Sequence, residues 1–388
     1  PGGGFAAIAR AATVEPVVYV AVTACGGVAI VVAEGDAVVA ELPELTSREL
    51  HTRQMAYVET YRAWLRTQGP DGRERWKAQL ADMSAWLWSA AMERILATLP
   101  AGTSAVTIIT DGVLGLLPLA SAGAGGASVI DRLQVRIALN VAALEAARAA
   151  TAAAPAGPAL LLAVPDVPNA LPLPFAAAEV HAVASLHPGT RPLETERASV
   201  AAVEAALPHH RLVHLACHGL TRFDDPALSA LFLAGGEPLT LARLLELRLP
   251  GTRLAVLSAC ESGMVEVAVP EEKASLPAGL MLAGVAGVVA SLWSVDDRAT
   301  MLLMTRLHEL LAAGADPCAA LRSAQLWLRD TPTPALATWA GERAAAMAAA
   351  GAPDGSVQQV AEAVDGLEEY ETFFAHPYHW AGFGFFGA

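Results

Sequence analysis

A histidine and a cysteine each follow an apolar run, and together their side chains could perform nucleophilic chemistry. One run starts at Arg211 and ends in His218 and Gly219, and another starts at Arg253 and ends in Cys260. Such runs are typical of interior strands in a parallel sheet, where chemistry collects beyond the carboxyl ends. If the strands are neighbours, His218 can take the thiol proton of Cys260 and make a thiolate. The pair would then be the dyad of a cysteine hydrolase.

Groups beside this pair could assist it. Gly219 has no side chain to obstruct its backbone N–H, so this N–H is a candidate oxyanion donor, and the N–H of Cys260 is the second. Glu261 either orients His218 or faces solvent, and the sequence leaves both roles open.

Structural roles are the alternative for each of these residues. A lone histidine can end a strand, and a free cysteine is often buried in the core. Cys217 fits the core role, because alternation along a strand points it away from His218. A metal site would use His214, Cys217, His218 and Cys260, but their spacing is that of a strand and not of a ligand knuckle. We therefore expect neither metal nor cofactor.

Composition excludes several classes of protein. The chain has 388 residues, 54% of them hydrophobic, which suits two or three globular domains. A formal charge of -14 argues against a nucleic-acid surface. Four cysteines without a CxxC pair indicate neither a disulfide framework nor a zinc ribbon, and they favour a reducing cytosol.

We expect no membrane segment. The uncharged stretch 17–33 contains Gly26-Gly27, which favours a hairpin over a span. No basic segment precedes an apolar core as in a signal peptide. The chain opens at Pro1, which we take as a sign of an excised or processed piece. The sequence thus predicts a cytoplasmic location.

The pattern along the chain predicts two domains, 1–154 and 155–388. The first has three strands within 16–45 with turns at Gly26-Gly27 and Gly35-Asp36, a helical insertion at about 47–99 and a strand at 105–110. An Ala-rich linker is expected at 146–158. Beyond it, strands and helices alternate, which predicts an α/β fold with a mostly parallel sheet. A helical excursion is expected at about 331–375, and a final strand within 376–386.

Four sequence strings carry a family resemblance. They are LVHLACHG at 212–219, VLSACESG at 256–263, VASLWSVDD at 289–297 and HPYHWAGF at 376–383. In this order they resemble CHAT domains, which are caspase-like peptidases associated with tetratricopeptide repeats. The resemblance implies a caspase-like α/β/α sandwich preceded by a degenerate caspase-like half. It also implies clan CD chemistry by His218 and Cys260, and a tetratricopeptide sensor, which this chain lacks.

The third string is also similar to the Leu-Trp-Asp-Val-Thr-Asp motif of separases, whose last Asp lines the pocket for a substrate arginine. Asp297 matches that position, whereas Ser294 stands where separases have Asp. Asp297, with Asp296 beside it, would bind a basic P1 side chain. The alternative is that Asp296 or Asp297 caps the helix that follows.

These observations predict a cysteine endopeptidase that acts on a protein substrate, prefers a basic residue at P1, and is activated by a fused or separate sensor. The first alternative is a signalling scaffold of the same fold that needs no proteolysis. The second is a small-molecule cysteine hydrolase such as a glutaminase. It is disfavoured because Ser258 and Ala259 precede Cys260, where a nucleophile elbow would have Gly.

Overall fold

The computed structural model describes residues 4–67, 69–110, 112–153, 157–168, 170–193, 195–222, 225–259, 275–367 and 369–388. These residues divide into two compact units. The first contains residues 4–146 and 386–388, and the second contains most of residues 147–385. The predicted boundary near residue 155 falls within residues 154–156, which lie outside the described residues. That boundary therefore stays a prediction.

The first unit has a five-stranded sheet and a small hairpin. Its strands are β1 Val17–Thr23, β2 Gly26–Ala33, β3 Asp36–Leu42, β4 Ala105–Thr110, β5 Gly123–Ala124, β6 Ala127–Ser128 and β7 Gln134–Ile137. The order in the sheet is β3-β2-β1-β4-β7. The first three strands are antiparallel, while β1, β4 and β7 run parallel. β5 and β6 pair only with each other.

The two turns of the first hairpins lie earlier than predicted. The chain turns at Ala24 and Cys25, and Gly26 already opens β2. Gly26 has φ 139°, and an added Cβ there would lie 3.3 Å from the Cα of Pro43. Glycine is therefore required at position 26 because of its positive φ and the close approach of Pro43, although this residue lies outside the turn. The second turn is formed by Glu34 and Gly35.

Six helices accompany this sheet. They are α1 Phe5–Ala11, α2 Ser47–Thr67, α3 Pro70–Leu87, α4 Glu93–Thr98, α5 Val129–Arg132 and α6 Val141–Ala153. The predicted helical insertion is confirmed as α2 to α4, with one π-helical turn at Trp88–Met92. Buried rings of Tyr57, Tyr61 and Trp76 pack α2 against α3. The predicted linker at 146–158 is wrong in its first half, because alanine favours the helix of α6.

The second unit alternates strands with helices. Its strands are β8 Ala159–Ala163, β9 Leu212–Leu220, β10 Ala230–Phe232, β11 Pro238–Thr240, β12 Leu254–Ala259, β13 Gly287–Ser291 and β14 Phe383–Gly387. Its helices are α7 Ala176–Leu186, α8 Val200–Ala206, α9 Leu241–Glu246, α10 Leu276–Ala283, α11 Asp297–Ala312, α12 Pro317–Asp330, α13 Thr333–Ala349, α14 Asp354–Ala361 and α15 Pro377–Trp380.

A parallel sheet forms the centre of this unit, as predicted. β8, β9, β12 and β13 pair in parallel in that order, and β14 follows β13. The far end of β9 also pairs antiparallel with β10, which pairs with β11. Helix α7 packs on β8 and β9, and α11 packs on α7. The mostly parallel sheet with accompanying helices confirms the predicted α/β fold.

The helical excursion and the final strand are also confirmed. Helices α13 and α14 occupy most of the predicted span, and β14 closes the chain after the short helix α15. The buried amide of Gln325 donates to the carbonyls of Trp380 and Phe383 at 3.0 and 2.9 Å. These bonds hold the segment between α15 and β14 against α12.

Candidate active site

Two adjacent strands end at the same edge of the parallel sheet. β9 and β12 pair from Leu212 with Leu254 through to Cys217 with Ala259. Both strands are rich in buried Leu, Val and Ala. Each fully buried side chain of the Val or Leu type contributes about 1.5–3 kcal/mol, so the core fixes this register strongly.

Two predicted site residues follow β12 directly and cannot be placed. Cys260 and Glu261 lie outside the described residues, as does the rest of the stretch to residue 274. The last described residue before them, Ala259, has its carbonyl bound by the hydroxyl of Ser291 at 2.5 Å. This bond ties the end of β12 to the end of β13.

His218 stands one residue beyond the Cys217–Ala259 pair and is half-buried. The backbone carbonyl of Pro165, in the segment after β8, forms a hydrogen bond with its ring. The ring atom Nε2 is buried and has no partner among the described residues, so the bonded nitrogen is Nδ1. Such a bond fixes the orientation and tautomer of the imidazole and leaves Nε2 available.

Burial lowers the pKa of His218 from its ordinary value. The hydrogen bond to Pro165 and the charge of Asp166 act in the opposite direction. Because the neutral ring is favoured, His218 is in the form that accepts a proton.

Gly219 lies inside β9, where it pairs with Leu231 of β10. The other candidate oxyanion donor, the N–H of Cys260, is outside the described residues. The role of both groups therefore stays a prediction.

The two aspartates before α11 have different environments. Asp296 caps the helix, because its carboxylate accepts from the N–H of Ala299 at 3.0 Å. Asp297 instead accepts from the N–H of Phe175 at 2.7 Å. The sequence left open whether Asp296 or Asp297 caps α11, and the structure shows that Asp296 does. The substrate-binding role of either residue stays a prediction.

Asp297 is held in a mainly apolar setting, and burial raises its pKa to about 7. The negative charges of Glu179 and Asp296 raise it further, while the hydrogen bond from Phe175 lowers it. A carboxyl group at this position changes its charge near neutral pH, whereas an exposed aspartate is ionised throughout that range.

Asp297 lines a small cavity that we call the Asp297 pocket. Its polar lining comes from Glu179, Cys217, Ser258, Ser291, Asp297 and Thr300. The volume of the pocket is about 30 Å³.

A group of buried residues near this pocket was not predicted from the sequence. Glu179 accepts from the ring of His214 at 2.8 Å, and the other nitrogen of His214 meets His308 at 3.0 Å. Both ring nitrogens of His214 are thus engaged within the core. The three residues are separated by 35 and 94 positions, and each lies in an apolar element, so no local motif reveals them.

The family model for the CHAT domain matches residues 81–388, which is more than half of the chain. The chain therefore belongs to the CHAT-domain family. No curated protein matches the sequence.

Solved structures show the fold. Two separase–securin complexes from Saccharomyces cerevisiae match with TM-scores of 0.58 and 0.57 at 9% and 8% identity. The matches cover 83% and 99% of this chain but only 29% and 31% of those chains. The Arg-specific cysteine proteinase gingipain R matches with a TM-score of 0.43 and 11% identity, covering 80% of this chain and 67% of that one, a score too low to support a conclusion. The family and the separase likeness together give a caspase-like α/β fold.

Among the described residues, no helix combines the length and the apolar character needed to cross a bilayer.

Proposed function

We propose that this protein is a cysteine endopeptidase in which the thiolate of Cys260 attacks the peptide carbonyl. His218 takes the thiol proton and then protonates the leaving amine, and water releases the thioester. The observation that carries the proposal is the register of β9 and β12. Ala259 pairs with Cys217, so the next residue along each parallel strand is Cys260 in one case and His218 in the other.

The environment of His218 supports the same role. Its Nε2 is buried and has no partner among the described residues, which is unfavourable for a histidine with only a structural function. A buried polar atom left without a hydrogen bond costs about 1–3 kcal/mol. A reacting thiol beside Nε2 would supply the missing partner.

A basic P1 residue is the preference that we propose. Asp297 is a buried carboxylate at the carboxyl edge of the sheet, and a guanidinium group could form charge-assisted hydrogen bonds with it. Asp296 contributes less directly, since one of its oxygens caps α11. Glu261 remains a candidate for substrate contact by its position next to Cys260.

Activation by a partner is part of the proposal. A protein that stabilises the substrate-binding conformation would raise activity by shifting the population of conformations. We propose a tetratricopeptide sensor as this partner, on the same or another polypeptide. A reducing compartment such as the cytosol would keep the thiol active.

The test is hydrolysis of a peptide library with varied P1 residues by the wild-type protein and three variants. Cys260→Ala removes the nucleophile, Asp297→Asn removes the pocket charge, and Cys25→Ala is a control that removes an exposed thiol. We expect Cys260→Ala to abolish cleavage, Asp297→Asn to lose the basic preference and Cys25→Ala to resemble the wild type.

The scaffold alternative gives a different outcome. Binding of a partner would persist in Cys260→Ala while the wild-type protein cleaves nothing, with or without that partner. Cleavage that persists in Cys260→Ala would exclude this cysteine as the nucleophile.

A further inference from the structure

A buried chain of three histidines ends on Glu179, which lines the same pocket as Asp297. We propose that this chain holds the carboxyl group of Glu179 in place, and that Glu179 thereby sets how strongly the Asp297 pocket binds a basic side chain. The inference rests on the proposed function, and makes Glu179 a positioning residue for the P1 pocket.

The contacts in the chain have one consistent direction. Nε2 of His187 lies 3.1 Å from Nδ1 of His308, and Nε2 of His308 lies 3.0 Å from Nδ1 of His214. Nε2 of His214 lies 2.8 Å from Oε1 of Glu179. A neutral imidazole has one donor and one acceptor, so with Glu179 as a carboxylate a proton on each Nε2 satisfies all three contacts. In that arrangement every ring donates toward Glu179.

Burial makes this arrangement necessary. Glu179 is 1% exposed, and His214 and His308 are 0% exposed. A carboxyl group buried this deeply needs a hydrogen-bond partner, and the ring of His214 is that partner. Burial also lowers the pKa of His308 well below its ordinary value, with repulsion from His214 and His187 acting in the same direction.

Glu179 is the main charge facing Asp297 from another element. The groups that raise the pKa of Asp297 by their charge are Glu179 on α7 and Asp296 on its own helix, and the contact that lowers it is the neutral N–H of Phe175. The neighbouring Arg298 lies over the ring of Phe175 and donates to the carbonyl of Asp365.

The described residues that line the Asp297 pocket include no Lys or Arg. A basic side chain that enters would therefore meet two carboxylates and displace the proton from Asp297. The charge of Glu179 thus has two effects, because it keeps the proton on Asp297 in the empty pocket and attracts the incoming cation.

The outer end of the chain provides a matched control. His187 lines an open cavity of about 1070 Å³, and His181 lines the same cavity. The Nδ1 atom of His181 contacts the hydroxyl of Ser356 at 2.8 Å and takes no part in the chain. Replacement of His181 therefore alters the cavity and leaves the contacts of Glu179 intact.

The first experiment measures the titration of Asp297 by carboxyl carbon NMR, with the signal assigned by its absence in Asp297→Asn. Wild-type Asp297 should titrate at about pH 7. Glu179→Gln should lower the midpoint, because a like charge is removed. His308→Leu should lower the Asp297 midpoint as well, because His214 loses its contact with His308 and no longer holds Glu179 in place. His308→Gln keeps an N–H donor for His214 and should restore the wild-type midpoint, and His181→Leu should not change it.

The second experiment compares peptides with arginine and norleucine at P1. Well above pH 7, where Asp297 is ionised in both proteins, Glu179→Gln should raise KM for the arginine peptide on the order of tenfold. kcat, and both constants for the norleucine peptide, should be unchanged. Below pH 7 the difference in KM between the two proteins should shrink. There Asp297 is ionised in the variant but protonated in the wild type, so the variant regains part of the attraction for arginine.

An unchanged Asp297 midpoint in Glu179→Gln would overturn the inference, even if the protein is an active peptidase. A midpoint that falls equally in His308→Leu and His308→Gln would overturn the part assigned to the histidine chain. Absence of any hydrolysis by the wild-type protein, both with and without its partner, would instead overturn the proposed function, and the titration separates these cases because it needs no activity.

Discussion

Cys217 and Ala259 are paired residues on adjacent parallel strands, and each is the last residue of that ladder. His218 follows Cys217 at the end of β9, and Cys260, which lies outside the described residues, follows Ala259 in the sequence. Cys217 itself is fully buried, whereas His218 is half-buried. The neighbouring cysteine is therefore part of the core, and the predicted nucleophile is a different residue.

Replacement of Cys217 should leave hydrolysis intact. Cys217→Ala removes a buried sulfur from a 0% exposed site, and we expect a loss of about 1 kcal/mol of stability, typical of a small core truncation. Hydrolysis of one peptide should persist in this variant, and urea unfolding measures the loss of stability. A loss of activity as complete as that in Cys260→Ala would instead make Cys217 the reactive thiol.

Asp297 should make the protein less stable as pH rises. Because its pKa is about 7 in the folded state and about 3.9 in unfolded chains, the folded state binds more protons between these values. Stability therefore falls as pH rises from about 4 to 7. Asp297→Asn should flatten this slope and stabilise the protein at neutral pH by a few kcal/mol. Urea unfolding across this range tests the prediction, and a slope that is the same in both proteins contradicts it.

His308 should give the opposite dependence. Its folded pKa is depressed by burial, so below about pH 6.5 the unfolded chain takes up a proton that the folded protein does not. Stability is thus lost as pH falls below that value, by up to about 1.4 kcal/mol per pH unit for one proton. His308→Gln should reduce this slope by one proton, while His181→Gln, at a partly exposed site, should reduce it less.

The hydroxyl of Ser291 should matter for the end of β12. It donates to the carbonyl of Ala259, immediately before Cys260. Ser291→Ala should cost about 0.5–1.5 kcal/mol of stability and lower kcat, because the nucleophile would be held less firmly. Ser185→Ala removes a hydroxyl that bonds a helix carbonyl and should leave kcat unchanged. Equal kcat in both variants would show that the bond does not position the thiol.

The sequence predicted the elements that follow from local patterns. The apolar runs of β9 and β12, the helical insertion and the final strand could all be read from periodicity and breakers. The hairpin turns were misplaced by one or two residues, because glycine at 26 serves a close approach to Pro43 and not the turn. The helix α6 was missed because an alanine-rich segment is compatible with both a linker and a helix.

The candidate site was only partly predictable. The sequence selected His218 and Asp297, since each lies in a motif next to a strand end. It could not select Glu179, His214 and His308 as a group, because their contacts depend on how α7 and α11 pack with β9. Nor could it indicate that Glu179 and Asp297 line the same pocket, which depends on how the side chains pack.

The most direct test of the account measures the reactivity of Cys260 with iodoacetamide as a function of pH. The protein should carry Cys25→Ser, because Cys25 is exposed, whereas Cys217 and Cys318 are buried. If His218 and Cys260 meet, the thiol should ionise below the usual value of about 8.5, and His218→Ala should move the midpoint up toward that value. An identical midpoint with and without His218 would contradict the dyad.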